Sequence, residues 1–188
     1  MKGSIYMKQD FVILTDNNLY KYRGKDEMVT IPDGVTTIGE LAFWKSKSLK
    51  TVILSKGITQ IKRHAFSYCT SLKSITIPNG VTFIGNGAFT GCTSLTDIVI
   101  PNSVTFLGSS AFAGCTSLTN ATISNSVTYI SHGTFADCTS LTSITIPNSV
   151  TEISNATFIR CGSLKELIIP NKLNVPKFIP NDIKIVRY

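Results

Sequence analysis

The stretch "PNSVTFLGSSAFAGCTSLTNATI", Pro101–Ile123, decides the fold, because the chain writes it again and again. Its phenylalanine recurs at Phe43, Phe66, Phe89, Phe112, Phe135 and Phe158, always 23 residues apart. Leu49, Leu72, Leu95, Leu118, Leu141 and Leu164 keep the same step. So do Cys69, Cys92, Cys115, Cys138 and Cys161, with Ser46 in the first copy. Six units therefore run from Pro32 to Ile169 without an insertion. Such a period marks a solenoid, in which each unit buries its apolar face only against its neighbours.

Within a unit, the tail "LTNATI" and its equivalents "LTDIVI", "LKSITI", "LTSITI" and "LKELII" alternate apolar and polar residues, which reads as a short strand. Pro or Ser followed by Asn-Gly or Asn-Ser reads as a turn. "VTFLG" continues extended or turning. Ala111-Phe112, Cys115 and Leu118 then step by three and four, which predicts one helical or 3-10 turn, with Ser109 or Ser110 placed to cap it. Stacked units lay their strands parallel, about 4.8 Å apart. Six units plus Val29–Ile31 predict seven parallel strands in a sheet roughly 30 Å long. The fold class is thus an α/β-type, mostly β, repeat solenoid with short helical turns opposite a parallel sheet. Residues 1–31 are expected to supply a capping hairpin ("FVILT", "DNN", "LYKYRG") and a first strand. Residues 32–169 hold the repeats and residues 170–188 a C-terminal cap ending in the strand "IKIV", all within one structural domain.

Hydrophobic residues make up 43% and charged residues 15%, which favours a packed chain over a disordered one. Net charge is +7, and no Lys or Arg lies between Lys73 and Arg160, so the ends are basic and the middle is nearly neutral. Charged end units keep a repeat array soluble; a basic binding patch is the other reading. No run of about 18 apolar residues suggests a membrane-spanning helix. The four-residue run "FVIL" is too short for a signal-peptide core, so no export signal is read.

The pattern "IPNSVTxI…AFxxCxSLxxIxIP", repeated from Pro32 to Ile169, resembles the BspA-type leucine-rich repeat, and "LYKYRGKDEMVTIPDGV" resembles that family's lead-in. Departures are modest: Ser46 stands for cysteine, Thr134 and Thr157 for alanine, Ser55 and Ser124 for proline. The resemblance implies a right-handed superhelix with its parallel sheet on the concave face. It also implies a non-catalytic module, often surface-associated and adhesive, that takes a protein partner such as a host or cell-surface protein. It names no partner. A cell-surface location follows from the resemblance and a cytoplasmic one from the missing signal; both stay open. A monomer is the expected state.

Five cysteines cannot all pair internally. Stacking brings them to about 5 Å, within disulfide range. Parallel side chains aim alike, however, and a thiol set between Phe and Leu acts as a small hydrophobe. They read as buried free thiols. There is no C-x-x-C pair or Cys/His cluster for zinc, and no metal or cofactor is expected. His64 and His132 read as surface residues. "GNGAF", Gly85–Phe89, lacks the glycine pattern and lysine of a phosphate loop. Asn120 and Asn155 open Asn-x-Ser/Thr tripeptides, which matter only in a eukaryotic secretory pathway.

Three exposed sets are candidates for recognition. The outward strand positions include Asp97, Asn120, Thr122, Ser143 and Thr145. The variable position of "VTxI" holds Phe83, Phe106 and Tyr129, which read as an apolar partner stripe or as packing over the core edge. Lys45, Lys47, Lys50, Lys62, Arg63 and Lys73, with Lys56, form a basic set for acidic polymers. Nucleic acid is not expected, since no nucleic-acid motif accompanies the lysines. The function reads as protein recognition or adhesion, with acidic-polymer binding or an intracellular interaction scaffold as alternatives.

Overall fold

Each 23-residue unit closes one coil with three sides: a strand, a second strand beyond a turn, and a run of tight turns that returns the chain. The computed structural model describes residues 5–8, 10–180 and 182–188. Residues 1–4 and 9, part of the expected N-terminal cap, and residue 181 lie outside the described residues.

The first side comes from the alternating tails. Strands Met28–Thr30, Thr51–Ile53, Ser74–Ile75, Asp97–Val99, Asn120–Thr122, Ser143–Thr145 and Glu166–Ile169 follow one another, and Lys184–Arg187 adds one more. Those that pair are parallel, and between repeats the register is one unit, as in Asp97↔Asn120 and Ser143↔Glu166. Val52, Ile75, Ile98, Ile144 and Leu167 point inward and are buried. The ladder is not continuous, since it divides after Ser74–Ile75 and again after Asn120–Thr122.

The expectation of one sheet is corrected by a second. The "VTxI" segments are themselves strands: Thr37–Ile38, Gln60–Ile61, Phe83–Ile84 and Phe106–Leu107 form a parallel ladder. It extends a meander of Ile5–Lys8, Phe11–Leu14 and Asn18–Tyr22. Tyr129–Ile130 and Glu152–Ile153 pair separately. Both sheets thus part between the coil ending at Ile123 and the coil beginning at Ser124.

One column shows how the bond between coils changes at this seam. Gly85 and Gly108 donate their N–H groups to the C=O of Ile61 and Ile84 in the preceding coil. A Cβ at Gly108 would lie 2.4 Å from the Asn86 nitrogen, so the approach leaves no room for a side chain. The next coil carries Ser131 in that column, and its hydroxyl, rather than an N–H, donates to Leu107 C=O at 2.9 Å. Here a side chain takes over the bond that the N–H groups of Lys62 and Ser154 make at the same place in other coils. Ser124 acts likewise nearby, donating to Val104 C=O at 2.8 Å.

The third side corrects the expected helical turn: no helix occurs among the described residues. In the first coil Ala42, Trp44 and Ser46 donate N–H groups three residues back, to Gly39, Leu41 and Phe43. The alternate residues Leu41, Phe43 and Lys45 donate instead to Arg63, Ala65 and Ser67 in the next coil. A helix would direct every N–H along its own axis. Here half of them bond between coils, which satisfies the backbone and stacks the units together. The alternation requires left-handed backbone at two columns. One is Leu41, His64, Gly87, Ser110 and Gly133; the other is Lys45, Tyr68, Gly91, Gly114, Asp137 and Arg160. Ser110 is therefore a left-handed residue within the turns, not a helix cap. This ladder holds across the seam through Ser110, Phe112 and Gly114, bonded to His132, Thr134 and Ala136.

The core is a set of stacked columns. Phe43, Phe66, Phe89, Phe112, Phe135 and Phe158 are all fully buried, with successive ring centroids 4.9, 5.3, 5.3, 5.7 and 6.0 Å apart. Leu72, Leu95, Leu118 and Leu141 are buried beside them. At the C-terminal end the Arg187 guanidinium donates to the C=O of Asn171 and Leu173 at 2.8 and 3.0 Å, and Tyr188 Oη donates to Ile146 C=O at 2.8 Å.

One inward position is underfilled. Ala121, half-buried against the core, stands where the larger Ile98 and Ile144 are buried in the adjoining coils. Ala121→Ile should raise stability by about 1–2 kcal/mol, at about 0.8 kcal/mol per buried methylene. Urea unfolding checks this; a lowered midpoint would mean that the core beside Ala121 has no room for the larger side chain.

Candidate recognition surface

The outward residues of the first sheet are set by the period of two. Ile53, Ser74, Thr76, Asp97, Val99, Asn120, Thr122, Ser143 and Thr145 are exposed. Two of them are large and apolar, Ile53 at 48% and Val99 at 63% exposure, and Met28 on the first strand reaches 63%. This face carries three adjoining hollows of about 740, 610 and 380 Å³. The first and second share Ser74, Thr76 and Asn79; the second and third share Thr122 and Asn125. Together they make a trough over the strands. Asn79, Asn102 and Asn125 follow the strands and line it, and Asn125 N–H donates to Asn102 Oδ1 at 3.0 Å. This asparagine rim was not among the sequence candidates, although Asn at the same turn position in successive units signals it.

Charge in the trough is sparse. Asn120 Nδ2 donates to Asp97 Oδ1 at 2.6 Å. That bond, with a second from the Thr96 hydroxyl, holds the Asp97 carboxyl below its usual range. Asp97 and Asn120 thus present a pre-paired acid and amide. Lys184 pairs with Glu166 at 2.9 Å at the far end.

Phe83, Phe106 and Tyr129 lie on the second sheet, so the two sets of partner candidates belong to different faces. Phe83 and Phe106 stack at 4.7 Å with ring planes 5° apart, and the Lys62 ammonium sits 5.5 Å from the Phe83 ring. Phe83 is half-buried, while Phe106 and Tyr129 are 45% and 44% exposed. The seam falls between Phe106 and Tyr129.

The basic set is dispersed rather than gathered. Lys45 belongs to the turn side, 4.2 Å over the Trp44 ring, and Lys47 follows on the same return. Lys50 and Lys73 immediately precede first-sheet strands, and Lys56 lines the 740 Å³ hollow. Lys62 and Arg63 border the second sheet with Phe83 and Phe106. Lys50 pairs with Glu27 at 2.6 Å, and Arg63 lies 3.8 Å from Glu40.

The thiols of Cys69, Cys92, Cys115, Cys138 and Cys161 are free and fully buried. Each S–H donates to the C=O of the phenylalanine 26 residues earlier, at 3.0–3.3 Å, as Cys115 does to Phe89. Burial pushes all five thiols up, Cys69 to about 12 and Cys161 to about 11. A thiol so held is a poor nucleophile, because the thiolate is the reactive form. His132 is exposed, whereas His64 is half-buried, with Nδ1 2.9 Å from Ser67 Oγ. The expected surface place for His64 is thereby corrected, since its left-handed backbone lays the ring over Gly87.

The coils and parallel sheets define a leucine-rich-repeat-like β-solenoid. Comparison with known proteins narrows the class. The BspA type leucine rich repeat region matches residues 14–115 and 59–178, in six copies. The chain belongs to this family. The crystal structure of the T. pallidum leucine rich repeat protein TpLRR is 30% identical, covers 95% of this chain and 88% of its own, and superposes with a TM-score of 0.78. The pneumococcal vaccine antigen PcpA is 20% identical, with 98% of this chain and 48% of that one covered and a TM-score of 0.80. A leucine-rich repeat protein from Eubacterium ventriosum is 23% identical over 97% of this chain and 48% of its own, with a TM-score of 0.62. At these lower identities the likeness shows the fold alone. No curated protein matches the sequence. Leucine-rich-repeat families are typically non-catalytic and suggest protein binding. Among the described residues no helix is long and apolar enough to cross a membrane.

Proposed function

We propose that this chain is a non-catalytic protein-recognition module whose binding face is the trough on the first sheet, serving adhesion to a protein of another cell or a host. The observation that carries the reading is the trough itself: adjoining hollows on a stacked sheet, with Ile53 and Val99 exposed among hydroxyls, an acid and amides. A rigid bed of this kind binds without an ordering cost of its own, and exposed apolar side chains supply the desolvation that affinity requires. Membership of a leucine-rich-repeat family supports it. The burial of the thiols, which keeps them poor nucleophiles, is in keeping with a role without catalysis.

The test sets the two faces against each other. Immobilised protein is offered surface proteins from cells, and captured material is quantified. Val99→Arg with Thr122→Arg should reduce capture at least tenfold, while Phe83→Ser, Phe106→Ser and Tyr129→Ser together leave it within twofold. The opposite result would move the site to the second sheet. Indifference to both sets would overturn recognition by either face.

A further inference from the structure

We infer that the head of the trough, over strands Thr51–Ile53 and Ser74–Ile75, is a docking site for an extended acidic peptide segment carrying an apolar side chain. The inference rests on the reading of the trough as the binding face. The head holds a hollow of about 740 Å³ lined by the exposed Ile53, Ser74 and Thr76, with the buried Val52, Leu54, Ile75 and Ile77 beneath them. Ile53, about half exposed, gives an apolar side chain something to cover. Lys56 lines the same hollow from the turn that follows the strand, and the exposed Lys73 immediately precedes Ser74 at the other end of the neighbouring strand. Cations thus flank the apolar floor along the chain direction. Lys50 is already paired with Glu27, but Lys56 and Lys73 have no carboxylate within ion-pair distance among the described residues.

Two free ammonium groups beside a shelf without acids select the charge of the occupant. A cationic or neutral segment would leave the lysines unanswered, while carboxylates flanking an apolar residue would meet both and cover Ile53. An extended segment fits because its side chains alternate faces, so that its apolar residues cover the floor while the acidic residues between them stay on the solvent side, within reach of the long, exposed lysine side chains. Further along, Asp97 repels an acidic chain, which confines the segment to the head.

The experiment uses the full chain and defined peptides. A fluorescein-labelled octapeptide of alternating Glu and Val is titrated and followed by anisotropy, beside a Lys/Val octapeptide, an all-Glu octapeptide and heparin. The Glu/Val peptide should bind, and its Kd should rise at least fivefold as salt goes from 50 to 500 mM, since exposed charges are then screened. Lys56→Glu with Lys73→Glu should weaken it at least tenfold, as should Ile53→Arg. Lys62→Glu with Arg63→Glu, on the second sheet, should leave it within twofold. All-Glu peptide or heparin binding as tightly as Glu/Val would overturn the proposal, because the apolar shelf would then be idle and the surface a general polyanion binder. Equal binding of the Lys/Val peptide would also overturn it. If no peptide binds while Val99→Arg with Thr122→Arg still abolishes capture of a surface protein, the acidic-segment proposal fails and the trough reading stands. Loss of neither response to trough variants removes both.

Discussion

Phe112→Ala should cost about 3–5 kcal/mol, the range for truncating a buried aromatic ring in a core that cannot collapse around the gap. Phe112 is fully buried and stacks between Phe89 at 5.3 Å and Phe135 at 5.7 Å. Its backbone is bonded forward to Thr134 in the next coil, and its C=O receives the Cys138 thiol. These bonds hold the neighbouring coils at fixed spacing, so the rings on either side cannot close on the cavity. In a repeat array each unit contacts mainly its neighbours, and a cavity in a central coil weakens two interfaces at once. Against a total of about 5–15 kcal/mol, the loss brings the chain close to unfolding at room temperature. Urea unfolding followed by far-UV circular dichroism measures it. Phe106→Ala is the control: its ring is half exposed, and its removal should cost about 1 kcal/mol. An unchanged midpoint for Phe112→Ala would overturn the assignment of that column to the core.

The contrast between Phe112 and Phe106 also marks what the sequence could convey. A ring in the same place in every unit must be packed against its own copies, so the Phe and Leu columns and the number of coils follow from the period alone. The outward residues of "LTNATI"-type tails follow from alternation. What the sequence concealed was geometry on the two remaining sides. "VTFLG" offers only two paired residues per strand, too short a run to show a period of two. Without that second sheet, Phe106 and Val99 look like members of one surface, although they lie on different faces. On the turn side, Phe112, Cys115 and Leu118 have helical spacing because consecutive three-residue turns advance the chain much as a helix would. The residues that argued against a helix were glycines: Gly91 and Gly114 before cysteine, and Gly87 and Gly133 four places earlier, mark columns of left-handed backbone. Leu41, Lys45, Tyr68 and Ser110 occupy the same columns without that freedom, which hides the signal in half of the units. The seam left no such trace: Ser131 follows Gly85 and Gly108 in its column, but Lys62 and Ser154 stand there too and bond through their N–H groups.

Alkaline pH should unfold the chain over an unusually narrow interval, because five thiols share one buried column. An unfolded cysteine titrates near pH 8.5. In the folded chain desolvation pushes Cys69 up to about 12 and Cys161 up to about 11, and it raises Cys92, Cys115 and Cys138 as well. The sign follows directly. Below about pH 8.5 both states keep all five protons, and stability does not depend on these groups. Between about pH 9 and 11 the unfolded chain releases protons that the folded chain retains, so stability falls as pH rises. Each thiol contributes a slope of about 1.4 kcal/mol per pH unit, and the full column about 7 kcal/mol per pH unit. A domain of ordinary stability would be exhausted within one to two units. Tyr22, raised to about 12 by desolvation and by its bond to Asp26, steepens the fall at the upper end. Urea midpoints measured in steps from pH 7 to 10.5 under reducing conditions should be flat to about pH 8.5 and then drop sharply. Cys115→Ser keeps a donor for the Phe89 carbonyl but removes one titrating group, and it should lessen the slope by about one fifth. A midpoint that stays level to pH 10.5 would mean that the thiols ionise as readily in the folded chain as outside it, and the column could not then be buried as described.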